Sequence, residues 1–171
     1  MPGTSGLISA DDNTLQQLAV DCGLSATDNW LRTQLLDYLF SHVVQAQLPS
    51  RQITIVHDFP PEQAALAECS PNADGLLVAS RFELYLGSVE IANAYQELTD
   101  ADELAARFAS DNQQRKALDK AEIEPDQRLL AAMRHGLPKC AGIALGVDRL
   151  LAVMQATTGL ADVLGFSTEL A

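Results

Sequence analysis

The segment RFELYLGSVEIANAYQELTD, residues 81–100, carries three glutamates at seven-residue intervals among apolar and small side chains. They are Glu83, Glu90 and Glu97, and Asn93 lies between the last two. Carboxylates in such surroundings are costly to bury unless they meet a cation or a hydrogen-bond donor. A solvated acidic face is the simplest explanation of the pattern, and a binding site is the alternative that the rest of the chain must support.

The spacing of these residues leaves two conformations open for residues 88–97. Glu90, Asn93 and Glu97 recur at the i, i+3, i+7 spacing of one face of an amphipathic helix. In a regular strand, Glu90 and Asn93 would point to opposite faces because their separation is odd. A strand would therefore need a bulge near Ala92 and Asn93 to turn both side chains the same way. Periodicity alone favours the helix, and only the resemblance described below favours the bulged strand.

A second segment, GIALGVDR at residues 142–149, places two glycines in an apolar strand that leads to an arginine. Glycine inside a strand usually marks a bulge or the close approach of a ligand or another backbone. An arginine after such a strand can stack on an aromatic base and also reach a phosphate oxygen. Packing explains an isolated G-x-x-x-G equally well. Together with the acidic segment, however, this pattern indicates a site for a metal-bound nucleotide.

Length and composition narrow the class of protein. A chain of 171 residues fits one domain with a real core. The net charge of −12 disfavours a nucleic-acid binder, which needs clustered lysine and arginine, and favours protein or small-molecule partners. The three cysteines include no C-x-x-C, which argues against a disulfide framework or a zinc site. With no signal peptide or membrane-spanning run visible, we expect a cytoplasmic protein with no membrane partner.

The rest of the chain predicts helices and strands around these two segments. The predicted helices are 11–22, 28–49, 101–118, 126–135 and 148–156, and the predicted strands are 52–59, 76–86, 88–97 and 140–147. Asp28 is the expected N-cap of the second helix. Residues 62–69 predict a short helical turn, and residues 70–75 predict a turn. In the second strand, Glu83 and Tyr85 should share one face.

The two segments together resemble a known enzyme family. GIALGVDRL resembles the third signature motif of class II aminoacyl-tRNA synthetases, and ELYLGSVEIANAYQELTDADELAARF resembles the catalytic domain of lysyl-tRNA synthetases. The chain is more similar still to their short bacterial paralogs, the lysine ligases that modify elongation factor P. Three features favour the paralogs: the strand end HDFPPEQAALAE, Ala144 where lysyl-tRNA synthetases usually have glycine, and an end at GFSTELA, about where the paralogs end.

The resemblance implies a nucleotide site. Glu83 and Glu90 match the family's acidic residues that hold Mg²⁺ against the phosphates of ATP. Oxygen ligands from two carboxylates, completed by phosphate, are what Mg²⁺ prefers. Arg149 matches the arginine that stacks on adenine near the γ-phosphate, and we expect it to face the two carboxylates across a nucleotide-sized gap.

The resemblance also implies an amino-acid pocket. Asn93 and Glu97 match pocket residues, where a carboxylate meets the ammonium group of the substrate. Gly146 matches a residue that lines the pocket. Ala144 should reshape the pocket, which is consistent with a β-lysine-type substrate in the paralogs.

The implied fold is an α+β domain, an antiparallel sheet flanked by helices, that forms the C-terminal part of a class II synthetase-like catalytic domain. Residues 1–50 would be its helical part and residues 51–171 its sheet core. The implied reaction is ATP-dependent activation of lysine or β-lysine as an adenylate, followed by transfer to a lysine of elongation factor P. Full-length members of the family are homodimers.

This sequence departs from the family pattern in one respect, because neither the first nor the second signature motif is recognisable. We therefore expect that residues 1–171 alone do not catalyse adenylation. Two alternatives remain open. One is a fragment of a lysyl-tRNA synthetase that charges tRNA, which the acidic charge and Ala144 disfavour. The other is a binding module that kept the pocket and lost the chemistry, which the absence of the second motif favours.

Overall fold

The computed structural model describes residues 5–25, 30–157 and 159–167 of the chain. The α-helices are α1 (Ser5–Ile8), α2 (Asp12–Asp21), α3 (Arg32–Leu39), α4 (Ala101–Ala117), α5 (Gln127–His135) and α6 (Val147–Met154). The strands are β1 (Ile53–Phe59), β2 (Cys69–Pro71), β3 (Leu77–Leu86), β4 (Val89–Gln96) and β5 (Ala141–Leu145). Shorter helical turns are a π-helix at Phe40–Val44 and 3₁₀-helices at Gln45–Gln47, Pro61–Gln63 and Leu160–Asp162. The predicted antiparallel sheet flanked by helices is confirmed.

The N-terminal helices form a small core of their own. Asp11 caps α2, because its side chain accepts a hydrogen bond from the Thr14 amide at 2.7 Å. Leu15 and Ala19 of α2 are fully buried against α3. The predicted cap Asp28 lies outside the described residues, and α3 follows Leu31 as its N-cap residue.

The strands pair in the order β1-β3-β4-β5, and β2 pairs with the remaining part of β3. The tight β3–β4 connection needs a residue with positive φ, which Gly87 supplies at 61°. Strand β5 follows the long excursion through α4 and α5 and pairs with β4 on one side only. The two segments recognised in the sequence therefore lie on adjacent strands.

The acidic segment is a bulged strand, as the resemblance favoured and the helical periodicity did not. Leu84 pairs with Ala92, whereas the next residue of β3, Tyr85, pairs with Glu90, so that Ile91 is the extra residue of β4. The bulge lies one residue earlier than predicted. Because it inserts one residue, it allows side chains three positions apart in β4 to face the same way.

One predicted turn region is wrong in part. A helical turn was expected at residues 62–69, but the structure has only the 3₁₀-helix Pro61–Gln63 there. Strand β2 (Cys69–Pro71) takes the place of the end of that helical turn and the start of the turn predicted at 70–75. The reason is long-range pairing with β3, which local composition does not reveal. The turn itself is tied by Asn72, whose Oδ1 accepts hydrogen bonds from the amides of Asp74 and Leu76, both at 3.0 Å.

The two faces of the sheet differ in chemistry. Strand pairing aligns apolar side chains on the face away from Glu83, namely Ile53, Ile55, Phe82, Leu84, Leu86, Ala92, Ala94, Ile143 and Leu145. Ile55 is 55% exposed and Ile143 is 63% exposed, and the hydrophobic clusters of the described residues lie elsewhere. Ile53 and Leu145 are 65% and 51% exposed, so the described residues leave much of this apolar face uncovered.

Candidate functional site

The opposite face of the sheet gathers most of the residues singled out in the sequence. Glu83 of β3 lies directly opposite Asn93 of β4, and Asn93 in turn lies opposite Ala144 of β5. One step beyond the bulge, Glu90 lies opposite Tyr85. Three neighbouring strands thus place an acidic residue, an amide and a small residue side by side.

The Glu83 carboxylate is held by two donors. Arg81 forms a short ion pair with Oε1, and the Tyr85 hydroxyl donates to Oε2 at 2.7 Å. The Arg81 guanidinium lies 4.1 Å from the ring centroid of Phe59 and 5.3 Å from that of Tyr95. Because the Arg81 and Glu83 side chains are only 10% and 12% exposed, this pair fixes the carboxylate in one place.

Sequence reasoning missed three residues of this site, namely Arg81, Tyr85 and Tyr95. Each lies two positions from a residue that was singled out, on the same strand: Arg81 and Tyr85 flank Glu83, and Tyr95 lies two residues beyond Asn93. In a strand this separation places side chains on the same face. The signal that could have found them was therefore the alternation of the strand itself.

Tyr85 is a hydrogen-bond donor in a protected position. Its side chain is buried, and its ring lies 5.7 Å from that of Phe40, so the N-terminal helices cover this end of the site. Burial raises the pKa of Tyr85 well above its usual range, and the hydrogen bond to Glu83 and the charges of Glu83 and Glu90 raise it further. The hydroxyl therefore keeps its proton and continues to donate to Glu83.

Arg149 lies beside Glu90 instead of facing it across a gap. Its Nη1 donates to the backbone oxygen of Glu90 at 3.2 Å and lies 3.8 Å from the carboxylate Oε2. Arg149 lies there because the start of α6 is bound to the bulge of β4. The Gly146 amide donates to the Ile91 oxygen at 2.8 Å. The expected nucleotide-sized separation between Arg149 and Glu90 is therefore absent.

Glu97 lies over Gly142 at the far end of β4. A Cβ atom at Gly142 would lie 2.3 Å from Glu97 Oε1, closer than real contacts allow, so only glycine leaves room for this carboxylate. Gly146, expected to line the pocket, would place a Cβ 3.4 Å from Arg149 Cδ and 3.5 Å from the Ile91 oxygen. Gly146 thus faces Arg149 and the bulge, and Gly142 is the glycine that the Glu97 side chain requires.

Asn93 carries an unpaired buried acceptor. Its Oδ1 is buried and has no hydrogen-bond partner in the described part of the chain. Buried polar atoms are nearly always paired, so an acceptor of this kind points to a donor supplied by a ligand or water. An acceptor flanked by carboxylates suits an ammonium group, which donates three hydrogen bonds and carries a positive charge.

The same face offers oxygen atoms that suit Mg²⁺ in kind. The carboxylates of Glu83 and Glu90 are the hard ligands that Mg²⁺ prefers, and each Glu83 oxygen keeps a lone pair after accepting one hydrogen bond. The described residues include no group of three or more His, Cys, Asp or Glu side chains that could hold a metal. By their chemistry, the two carboxylates suit a Mg²⁺ ion whose other ligands would be phosphate oxygens and water, the arrangement usual for nucleotide sites.

A cavity of about 700 Å³ adjoins the Glu83 end of this face. It lies between α3, β1 and α4, and its lining includes Asp37, Arg81, Glu83 and Arg107. Glu97 and Arg149 do not line it. Of the predicted site residues, Glu83 therefore lines this cavity, whereas Glu97 and Arg149 lie outside it.

Comparison with known proteins places the chain in a family. Residues 31–169 match the family model of class II tRNA synthetases of the D, K and N type, and the chain belongs to this family. The predicted resemblance is thereby confirmed.

Among curated proteins, the chain is similar to elongation factor P--(R)-beta-lysine ligases. It is 42% identical over 164 residues to the ligase of Pectobacterium carotovorum subsp. carotovorum (strain PC1), an alignment that covers 95% of this chain and 50% of that protein. It is 40% identical over 162 residues to the ligase of Haemophilus influenzae (strain PittGG), with 95% and 50% covered. It is 42% identical over 161 residues to that of Proteus mirabilis (strain HI4320), with 93% and 49% covered. The chain thus spans about half the length of the curated relatives it matches.

Among the residues that the structure describes, no helix is long and apolar enough to cross a bilayer.

Proposed function

We propose that this chain supplies the amino-acid face of an ATP-dependent ligase that activates lysine or β-lysine and transfers it to a lysine of elongation factor P. The observation that carries the proposal is the unpaired buried oxygen of Asn93. It lies on the face of the sheet where the carboxylate of Glu97, one residue beyond the end of β4, lies over Gly142. The names of the relatives support the choice of substrate and acceptor. As part of this proposal, the chain is the C-terminal part of a catalytic domain, with residues 1–50 its helical part and 51–171 its sheet core.

In this proposal, Asn93 and Glu97 hold the ammonium of the amino acid through charge-assisted hydrogen bonds. Gly142 leaves the space in which the Glu97 carboxylate lies. Ala144, opposite Asn93, adds a methyl group beside the pocket and favours β-lysine over lysine. Gly146 acts indirectly, since it fixes the start of α6 and with it Arg149.

Glu83 and Glu90 would hold Mg²⁺, which supplies positive charge to the phosphates of ATP. Arg81 and Tyr85 keep the Glu83 carboxylate oriented for that task. Arg149 is half exposed and would leave Glu90 to stack on adenine. Activation joins a carboxylate oxygen of the amino acid to the α-phosphorus of ATP and releases pyrophosphate. Attack by the acceptor amine on the acyl carbon then forms the amide and releases AMP.

The same proposal includes the acceptor, the oligomeric state and the cellular location of the complete enzyme. The acceptor is a protein, with tRNA less favoured because the chain has a net charge of −12. The complete enzyme would be a homodimer, as the family resemblance implies. It would also be cytoplasmic and without a membrane partner, as expected from the sequence.

The proposal can be tested in a chimera in which this chain replaces the matching half of the Pectobacterium carotovorum ligase. We expect ATP–pyrophosphate exchange with lysine or (R)-β-lysine and labelling of elongation factor P. Exchange that requires another amino acid, or transfer to tRNA in place of elongation factor P, would contradict the proposal. A folded chimera with no exchange would favour the binding-module alternative.

A further inference from the structure

Glu97 is held at its backbone by a segment far away in the sequence. Residues 64–69, here called the 64–69 segment, run beside the end of β4. The Glu68 amide donates to the Gln96 oxygen at 2.8 Å, and the Leu98 amide donates to the Leu66 oxygen at 2.8 Å. Ala67 and Glu97 form an antiparallel bridge between these two bonds. The Glu97 amide donates to the Cys140 oxygen at 3.0 Å, so this backbone is held between Cys140 on one side and the 64–69 segment on the other.

Residues 64–68 belong to no helix or strand, so regular secondary structure does not fix their conformation. Ala65 has a φ of 50°, in the left-handed region that alanine seldom adopts. Ala64 and Ala67 are buried, so the segment also cannot swing away freely. A backbone in an unfavourable conformation persists only where its surroundings hold it.

Arg107 of α4 provides that support. Its Nη1 donates to the Ala65 oxygen at 2.9 Å and to the Ala67 oxygen at 2.8 Å. Glu103, one turn earlier on the same helix, accepts from Arg107 Nε at 3.1 Å and forms a short ion pair with its Nη2. One planar guanidinium, itself held by Glu103, thus fixes two carbonyl groups of the segment.

We infer that Arg107 is a positioning residue for Glu97, acting through the 64–69 segment. This inference rests on the proposed function only for the role of Glu97 in binding the amino acid. Arg107 holds the Ala65 and Ala67 carbonyls, the segment holds residues 96–98 by backbone hydrogen bonds, and the Glu97 side chain then lies over Gly142. Since this carboxylate occupies the space that a Cβ at Gly142 would fill, a shift of the Glu97 backbone would move it away from that space.

A general stabilising role for Arg107 makes a different prediction from a positioning role. If the arginine only anchored α4, its loss would lower stability without a selective effect at residues 96–98. Arg115 of the same helix is the matched control, because its Nε also donates to a backbone carbonyl, that of Ala121, at 2.7 Å. Arg115 thus contacts the linker that follows α4 and does not contact the 64–69 segment.

The deciding experiment is amide hydrogen exchange on the 171-residue chain. In Arg107→Gln, we expect faster exchange of the Glu68 and Leu98 amides than in the wild type, whereas Arg115→Gln leaves both unchanged. Arg107→Lys should restore part of the protection, since an ammonium keeps the charge but cannot reproduce the planar fork. Unchanged exchange at these amides in Arg107→Gln would overturn the inference.

Lysine binding to the same chain separates the inference from the proposed function. We expect Arg107→Gln to weaken lysine affinity roughly tenfold, as the loss of one hydrogen bond to a charged group does. It should have no further effect in a Glu97→Gln background, because the two changes act on one contact. If Glu97→Gln alone leaves lysine affinity unchanged, the proposed role of Glu97 fails, while amide exchange still decides whether Arg107 positions it. Equal weakening by Arg107→Gln with and without Glu97 would contradict the inference.

Discussion

Gly142→Ala should damage amino-acid binding while leaving the fold almost intact. The added methyl carbon would lie 2.3 Å from Glu97 Oε1, whereas ordinary contact begins near 3.4 Å, so the carboxylate must retreat by about 1 Å. The atom that must move is the end of a flexible side chain and not backbone, which keeps the effect on stability small. A charge-assisted hydrogen bond spans about 2.7–2.9 Å, so such a shift removes it.

The expected loss follows from the strength of that bond. A hydrogen bond to a charged group contributes about 1.5–3 kcal/mol, which corresponds to roughly 10- to 100-fold in lysine affinity. The assay is a lysine titration of wild type and Gly142→Ala, with thermal unfolding measured on both. Gly165→Ala is the control, because a Cβ there would meet no atom within 4 Å.

Two results would refute this reasoning. Unchanged lysine affinity in a folded Gly142→Ala variant would mean that the Glu97 carboxylate does not bind the amino acid from its position over Gly142. An equal loss in Gly146→Ala would also count against it, because a Cβ at Gly146 makes only ordinary contacts.

Three further predictions concern stability, thiol reactivity and catalysis. Tyr85→Phe removes the 2.7 Å bond to Glu83 and should lower the free energy of unfolding by about 1.5–3 kcal/mol in urea titrations, and an unchanged midpoint would contradict it. Burial raises the pKa of the Cys69 thiol and Arg107 partly offsets this, so alkylation of Cys69 should need a higher pH in the folded chain than in urea. Arg107→Gln should raise that pH further, and a shift to lower pH would contradict it. Residues 1–171 alone should show about 10²–10³-fold less pyrophosphate exchange than the chimera, since one missing preorganised donor at the α-phosphate has that effect, and equal rates would contradict it.

Strand alternation and capping made much of the fold predictable. A helix was expected at 101–118, and Asp100 caps α4 by accepting from the amides of Asp102 and Glu103. Glu83 and Tyr85 were expected on one face and are joined by a hydrogen bond. These features depend on residues only a few positions apart, so a sequence displays them directly.

The bulge in β4 was predictable only through the family resemblance. Its residues Glu90, Asn93 and Glu97 have helical spacing, and an inserted residue in a strand produces the same spacing on one face. Pattern alone cannot separate the two cases. Pairing with β3 and β5 decides between them, and that pairing is a long-range property.

The parts of the site that escaped prediction also depend on distant contacts. Arg107 lies 40 positions from Ala67, whose carbonyl it holds, and Arg149 lies 59 positions from Glu90. Such contacts leave no periodic mark in the sequence. The pairing of Arg149 with Glu90 follows from the bond between Gly146 and the bulge, which could not be located without the strand register.

The most direct test of the central claim is lysine-dependent ATP–pyrophosphate exchange by the chimera with Glu97→Gln. This substitution keeps the shape of the side chain and removes the charge that is proposed to meet the substrate ammonium. Glu122→Gln, at an exposed position outside the site, is the matched control. We predict that Glu97→Gln lowers kcat/KM for lysine or (R)-β-lysine by about tenfold or more, and that Glu122→Gln has no effect. Equal kcat/KM values for the two variants would contradict the claim that this face of the sheet binds the amino acid.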